Sequence, residues 1–256
     1  MSKPILLFLV ITACVTACND SDKTTAFINP AAEGFNIANS DPAAVELADS
    51  VMVAMGGWNN WNNTRFISWN FFGNRNLIWD KKEDRVRIES LNDSVTYIVD
   101  LKTLEGKVWV KDQQLPPGDS LKNMLSKAKS IWINDSYWLV MPFKLKDTGV
   151  TLKYLGEDTL LTGGRCNVLQ MTFENVGDTP QNKYYVYVDL KDNLVKQWAY
   201  FSHASQDSAN FVRPWDNYKK YGDILLSADR SDGGGPKNVS VSTTVNERVF
   251  TDLEGG

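Results

Sequence analysis

Three residues near the middle of the chain, Asp147-Thr148-Gly149, match the short signature of aspartic proteases. In those enzymes two carboxylates share a proton and activate a water molecule, so a single copy of the motif would require a homodimer. Lys146 precedes the aspartate and Val150 follows the glycine, whereas that family prefers an apolar residue before the motif and a small one after it. We therefore interpret residues 147–149 as a turn that leads into a strand at Val150.

His203 is the only histidine of the chain. A zinc site would depend almost entirely on carboxylates, because the sequence contains no His-x-x-x-His or Cys-x-x-Cys spacing. A Ser-His-Asp triad would need His203, but no Gly-x-Ser-x-Gly segment accompanies it. We expect His203 to be a solvated loop residue, and we expect neither a metal nor another cofactor.

The acidic residues leave one enzymatic interpretation open. A glycoside hydrolase needs two carboxylates, and such pairs follow no spacing rule in the sequence, so the 31 Asp and Glu residues neither support nor exclude it. The formal net charge of -4 indicates no global basic field, which argues against nucleic acid as a partner.

The first 17 residues have the pattern of a signal peptide, with a short positive region followed by a short apolar run. The run falls below the roughly 20 residues that a membrane-spanning helix needs. Residues 15–18, Val-Thr-Ala-Cys, resemble the lipobox of bacterial lipoproteins, so we expect Cys18 to be acylated, palmitate included, and to hold the protein on a membrane. Cys14 stands in a competing box, and an ordinary secretory signal is the other alternative.

Cys166 is left without an intramolecular partner if Cys14 departs with the signal and Cys18 is acylated. It lies in an alternating run, which is typical of a small buried side chain rather than of a nucleophile.

Two stretches have a helical pattern. Residues 42–55 repeat apolar side chains every three or four positions, with Asp41 as the predicted cap and Pro42 at the first helical position. Residues 119–149 begin with the same spacing and contain a second apolar cluster that Pro142 ends. Both helices are amphipathic, so each needs a surface to cover.

Most of the remaining chain alternates polar and apolar residues in short runs, five of them between residues 64 and 111 and about six more between residues 150 and 249. The pattern predicts an α+β protein, in which a single curved antiparallel sheet of about eleven strands forms a half-open barrel wrapped around two or three helices. We expect a signal peptide over residues 1–17, a tether over 18–40, the half-barrel domain over 41–250 and a C-terminal tail over 251–256.

Several motifs together resemble a family of bacterial lipoproteins that is allied to the outer-membrane lipoprotein carriers and receptors, LolA-like and LolB-like. The helix ends in Met-Gly-Gly, and the motifs LIWD, DRVRIE, YWLVMPFKLKDTG, KYYVYVD and LVKQW follow in that order. The resemblance covers residues 41–249 and implies a curved antiparallel sheet around helices, with a hydrophobic cavity for acyl chains. It also implies a lipid-anchored protein of the cell envelope, in the outer membrane of a Gram-negative bacterium.

We therefore expect a non-enzymatic, lipid-anchored envelope protein that binds a lipid or the acyl chains of a lipoprotein. The predicted cavity wall consists of Trp69, Phe71, Trp79, Trp109, Trp132, Trp138 and Phe143. The same side chains could instead fill an ordinary core. A glycan hydrolase with an unassigned carboxylate pair and a passive scaffold of an envelope complex are the alternatives.

Overall fold

The computed structural model describes residues 29–256. Cys14, Cys18 and the predicted signal peptide lie outside the described residues, so their assignments stay predictions. Within residues 29–256, no helix is long and apolar enough to span a membrane.

Three α helices lie within the described part of the chain: α1 (Pro42–Ala54), α2 (Trp58–Asn63) and α3 (Asp119–Val140), the last followed by a 3-10 helix over Met141–Lys144. The helix predicted over residues 42–55 is confirmed, with Pro42 at its start. Asp41 is its N-cap residue, but its carboxylate accepts hydrogen bonds from the Tyr154 N–H and the Lys153 ammonium rather than from its own helix. The start of α1 is therefore bound to a neighbouring strand.

The described residues contain fourteen strands, which form three antiparallel sheets. The first sheet has the order β14-β1-β2-β3-β4-β5-β6 and consists of β1 (Phe66–Phe71), β2 (Arg75–Asp80), β3 (Arg85–Ser90), β4 (Val95–Asp100), β5 (Gly106–Val110), β6 (Gln113–Gln114) and β14 (Pro236–Ser242). The second has the order β11-β10-β9-β8-β7 and consists of β7 (Val150–Thr159), β8 (Arg165–Phe173), β9 (Lys183–Asp189), β10 (Val195–Phe201) and β11 (Phe211–Pro214). A hairpin of β12 (Tyr218–Tyr221) and β13 (Ile224–Ser227) forms the third.

The α+β class and the antiparallel arrangement are confirmed, but the single sheet of about eleven strands is wrong. The ladder breaks between β6 and β7, and neither large sheet closes on itself. Pro116 and Pro117 follow the two-residue β6 and lack the N–H groups that would continue the ladder. The 22 residues of α3 then separate β6 from β7.

One hydrophobic core joins the two large sheets, because α3 packs between them. On one side the ring of Trp132 in α3 meets Trp79 of β2 edge-on, at 5.2 Å between centroids. On the other side Tyr137 lies 5.6 Å from Tyr184 of β9. The stretch that interrupts the sheet therefore fills the space between its two parts.

Candidate functional site

A cavity of about 620 Å³ lies between the C-terminal half of α3 and the second sheet. This volume falls within the roughly 300 to 1,000 Å³ of small-molecule sites. Eight aromatic side chains line it: Trp132, Tyr137, Trp138, Phe173, Tyr184, Trp198, Tyr200 and Phe211. The other apolar residues of the lining are Ile133, Val150 and Val176, so aromatic rings supply most of its apolar part.

The sheet side of the cavity follows from strand alternation. Trp198 and Tyr200 are two residues apart in β10, so both side chains stand on the same face of the sheet. Tyr200 is the cross-strand partner of Tyr184 in β9 and of Phe211 in β11. The ring centroids of these pairs lie 5.5 Å and 5.0 Å apart. Direct cross-strand pairing thus assembles a continuous aromatic wall.

The helix side follows from the spacing in α3. Ser130, Ile133, Asn134 and Tyr137 all line the cavity, and they occur at the i, i+3, i+4, i+7 positions of one helical face. Trp138 borders the inner end, where its ring meets Trp198 edge-on at 4.7 Å between centroids. One face of α3 therefore borders the cavity, and Trp132 and Ser136 extend the lining beyond that face.

The tyrosines of the interior are held in their neutral form. The Tyr137 hydroxyl donates to the Met171 sulfur at 3.1 Å, and burial raises the pKa of Tyr137 well above its usual range. Burial also raises the pKa of Tyr184 to about 12. Removal from water favours the uncharged phenol in both cases, so both side chains stay neutral beyond the pH at which an exposed tyrosine ionises.

The mouth of the cavity is polar, and its exposed lining residues are Asn134, Thr148 and residues 177–179 of the β8–β9 loop. The buried Asn182 holds this loop, since its side-chain amide donates to the Thr179 hydroxyl at 2.7 Å. Lys144 and Asp147 form a salt bridge beside it. The cavity thus has an aromatic interior and a polar rim.

The turn predicted at residues 147–149 is confirmed. Gly149 has φ +73°, and a Cβ there would lie 2.4 Å from the carbonyl oxygen of Glu174, so glycine is required. Asp147 pairs with Lys144, which is not the arrangement of a carboxylate that shares a proton with a second one. His203 is exposed, as expected, and its Nδ1 lies 2.8 Å from the Ser205 hydroxyl.

Two of the predicted wall residues, Trp132 and Trp138, line the cavity. Trp79 and Phe71 lie behind them in the core, because Trp79 packs on Trp132 and Phe71 on Trp138. Trp69 is buried in the same core.

The other two predicted wall residues lie elsewhere. Phe143 stacks on Trp61 with centroids 4.3 Å apart and lines a smaller cavity of about 170 Å³. Trp109 belongs to a separate cluster with Phe66 and Phe250. In the segment WNNWNN, Trp61 is buried and Trp58 is half-exposed.

Six wall residues were missed by sequence reasoning: Tyr137, Phe173, Tyr184, Trp198, Tyr200 and Phe211. The sequence contains a pattern that indicates part of this set, since Trp198 and Tyr200 are two residues apart in one predicted strand and so share a face of it. That pattern shows that two aromatic rings share a face, but it does not identify the face that borders a void.

No protein-family model matches the sequence, and no curated protein matches it. Among solved structures, the chain is similar to a DUF1329 family protein from Desulfovibrio piger, with 14% identity, a TM-score of 0.47, and coverage of 85% of this chain and 100% of the other. It is also similar to an outer membrane lipoprotein-sorting protein domain from Vibrio parahaemolyticus, with 10% identity, a TM-score of 0.41, and coverage of 81% and 96%.

A third similar structure is the lipoprotein LppX from Mycobacterium tuberculosis, with 12% identity, a TM-score of 0.31, and coverage of 81% of this chain and 99% of the other.

Proposed function

We propose that this protein is a lipid-anchored protein of the bacterial cell envelope that binds a lipid, or the acyl chains of a lipoprotein, in the aromatic cavity, and that it catalyses no reaction. The observation that carries the proposal is the combination of about 620 Å³ of space, an aromatic interior and a polar mouth. An amphipathic ligand fits this arrangement, because its chain can enter the interior while its head group stays at the rim.

The driving force in this proposal is the removal of methylene groups from water. Each buried methylene contributes about 0.8 kcal/mol, so a ligand that buries about ten of them gains roughly 8 kcal/mol before the cost of ordering the chain. Tyr137 and Tyr184 are uncharged at neutral pH, so neither places a charge beside an apolar ligand. Acylation of Cys18 would keep the protein on a membrane, which we propose to be the outer membrane.

Uptake of a fluorescent fatty acid by the delipidated protein tests the binding. The full chain with Cys18→Ser is used so that its own acyl chains cannot compete. Ser136 is buried and lines the cavity, so Ser136→Phe should fill part of the void and lower the affinity at least about tenfold. Ser126→Phe is the matched control, because Ser126 lies on the same helix, is exposed and does not line the cavity.

Ser130→Phe serves as a second cavity variant, since Ser130 is only partly buried and tolerates a larger side chain more easily. The proposal fails if the parent protein takes up no fatty acid and carries no lipid in native mass spectrometry. It also fails if the two cavity variants and Ser126→Phe bind with equal affinity.

A glycan hydrolase is the second function to test. The mouth contains two carboxylates, Asp147 and Asp178, and aromatic rings can stack on sugars. We rank it lower because Asp147 is already paired with Lys144. Release of sugars from envelope glycans by the parent protein, abolished by Asp178→Asn, would favour the hydrolase.

A further inference from the structure

The first described residues, 29–41, run beside the start of β7 and are hydrogen-bonded to it. The Ala32 N–H donates to the Lys146 carbonyl at 2.9 Å, and the Gly149 N–H donates to the Gly34 carbonyl at 2.9 Å. The Thr148 hydroxyl donates to the carbonyl of Glu33 at 2.7 Å. The chain therefore enters the domain at the residues that precede β7.

This point of entry lies at the mouth of the large cavity. Thr148 is one of the exposed residues of the mouth, and Asp147 lines both the large cavity and the smaller one. Asn29 lines the smaller cavity and donates from its side-chain amide to Asp49 at 2.6 Å. Asn29 and the mouth thus border neighbouring cavities that share Asp147.

The length of chain before this point limits how far the mouth can lie from an anchored Cys18. Eleven peptide steps separate Cys18 from Asn29. A chain spans at most about 3.6 Å per residue, so the two residues lie no more than about 40 Å apart in any conformation.

We propose that the entry face, defined as residues 29–34, Trp58 and residues 144–148, docks on the lipid bilayer and turns the cavity mouth toward it. This inference rests on the proposed function, because it takes Cys18 as the membrane anchor and a lipid as the ligand. A lipid then passes between the bilayer and the cavity without crossing bulk water.

The surface chemistry of the entry face suits a lipid surface. Pro30 and Ala31 are exposed, and Trp58 is half-exposed beside them on the smaller cavity. Tryptophan is favoured at the level of lipid head groups, where one end of the ring is apolar and the other is wet. Lys144 and Lys146 are each paired with an aspartate, so we expect docking on zwitterionic phosphatidylcholine.

The opposite end of β7 provides an internal control. This strand has ten residues, which corresponds to about 30 Å at about 3.3 Å per residue. Thr162 is exposed in the turn that follows, between β7 and β8. Labels at Glu33 and Thr162 therefore lie near opposite ends of β7.

The test uses the full acylated chain in phosphatidylcholine vesicles that carry a nitroxide quencher on the lipid head group. Glu33→Cys and Thr162→Cys are each labelled with a small fluorophore; Cys166 is buried and its thiol pKa is raised by burial, so it does not compete. We expect quenching at position 33 to be at least about threefold stronger than at position 162. Equal quenching, stronger quenching at position 162, or a protein that does not bind the vesicles would overturn the inference.

The fatty-acid uptake of the Cys18→Ser chain separates the two proposals. Uptake without a difference between the two labels would refute the orientation and leave lipid binding in place. A clear difference between the labels without uptake would refute lipid binding and leave the orientation in place.

Discussion

The ion pair between Arg75 and Asp135 joins α3 to the first sheet directly behind the cavity. Replacing either residue should therefore change the free energy of unfolding. Asp135 is fully buried and accepts two hydrogen bonds from the Arg75 guanidinium, at 2.7 Å and 2.9 Å. Asn134 and Ser136, the two neighbours of Asp135, line the cavity. Any change at this pair is therefore expected to reach the cavity wall.

Burial raises the pKa of Asp135, and this effect outweighs the lowering by Arg75. A carboxyl group whose pKa is raised on folding contributes stability that is present below its unfolded pKa of about 3.8 and is lost as the pH rises through the folded pKa. At neutral pH the charged pair consequently does not recover the full cost of removing Asp135 from water. Removal of Arg75 should still cost about 3 to 5 kcal/mol, because it leaves the fully buried Asp135 without its cationic partner, whereas removal of Asp135 leaves the half-buried Arg75 and should cost less.

A double-mutant cycle measures these quantities. Arg75→Met should lower the free energy of unfolding by about 3 to 5 kcal/mol and Asp135→Ala by less, whereas the double variant should cost less than the sum by at least about 2 kcal/mol. Urea unfolding followed by tryptophan fluorescence provides the values. Lys102→Met is the control, because Lys102 pairs with Asp84 on the surface, where solvent screens the pair, so its loss should leave the free energy of unfolding almost unchanged. A cost below about 1 kcal/mol for Arg75→Met, or strict additivity of the two changes, would refute the reasoning.

Three further predictions concern titratable side chains. Burial, with a smaller contribution from Lys144, lowers the pKa of Lys81 to about 8. The neutral amine of Lys81 therefore contributes stability above pH 10.5, and this contribution is lost as the pH falls through 8. Lys81→Met should raise the free energy of unfolding at pH 7 by about 1 to 2 kcal/mol and have no such benefit above pH 10.5. Burial raises the pKa of Tyr184 to about 12, so the contribution of its neutral phenol to stability is complete below pH 10 and is lost as the pH rises to 12. Tyr184→Phe should remove a late step from the tyrosinate absorbance titration and reduce the loss of stability at alkaline pH. Burial raises the pKa of Cys166, so its thiol should react with a disulfide reagent only after unfolding, and a fast reaction of the native protein would contradict the burial.

Local patterns in the sequence determined most of the individual elements. The proline at the start of α1 and the apolar spacing of α3 depend on residues that are near one another in the chain, and both are confirmed. The turn at Gly149 is also confirmed, although the carbonyl oxygen of Glu174, which comes much later in the chain, is what requires glycine there. The short helix α2 was not predicted, because its sequence WNNWNN has little helical preference. Its buried Trp61 is held by stacking on Phe143, which comes much later in the chain.

The location of the cavity was decided only by the tertiary structure. Trp109 and Trp198 both stand in alternating strands, yet Trp109 packs in a separate cluster and Trp198 lines the cavity. A period of two shows which side chains share a face of a strand, but the face that borders a void depends on how the sheets and helices pack. The sequence by itself therefore determined the helices, most strands and the turn before β7, whereas the break between the two sheets and the aromatic wall arose from contacts between residues distant in the chain.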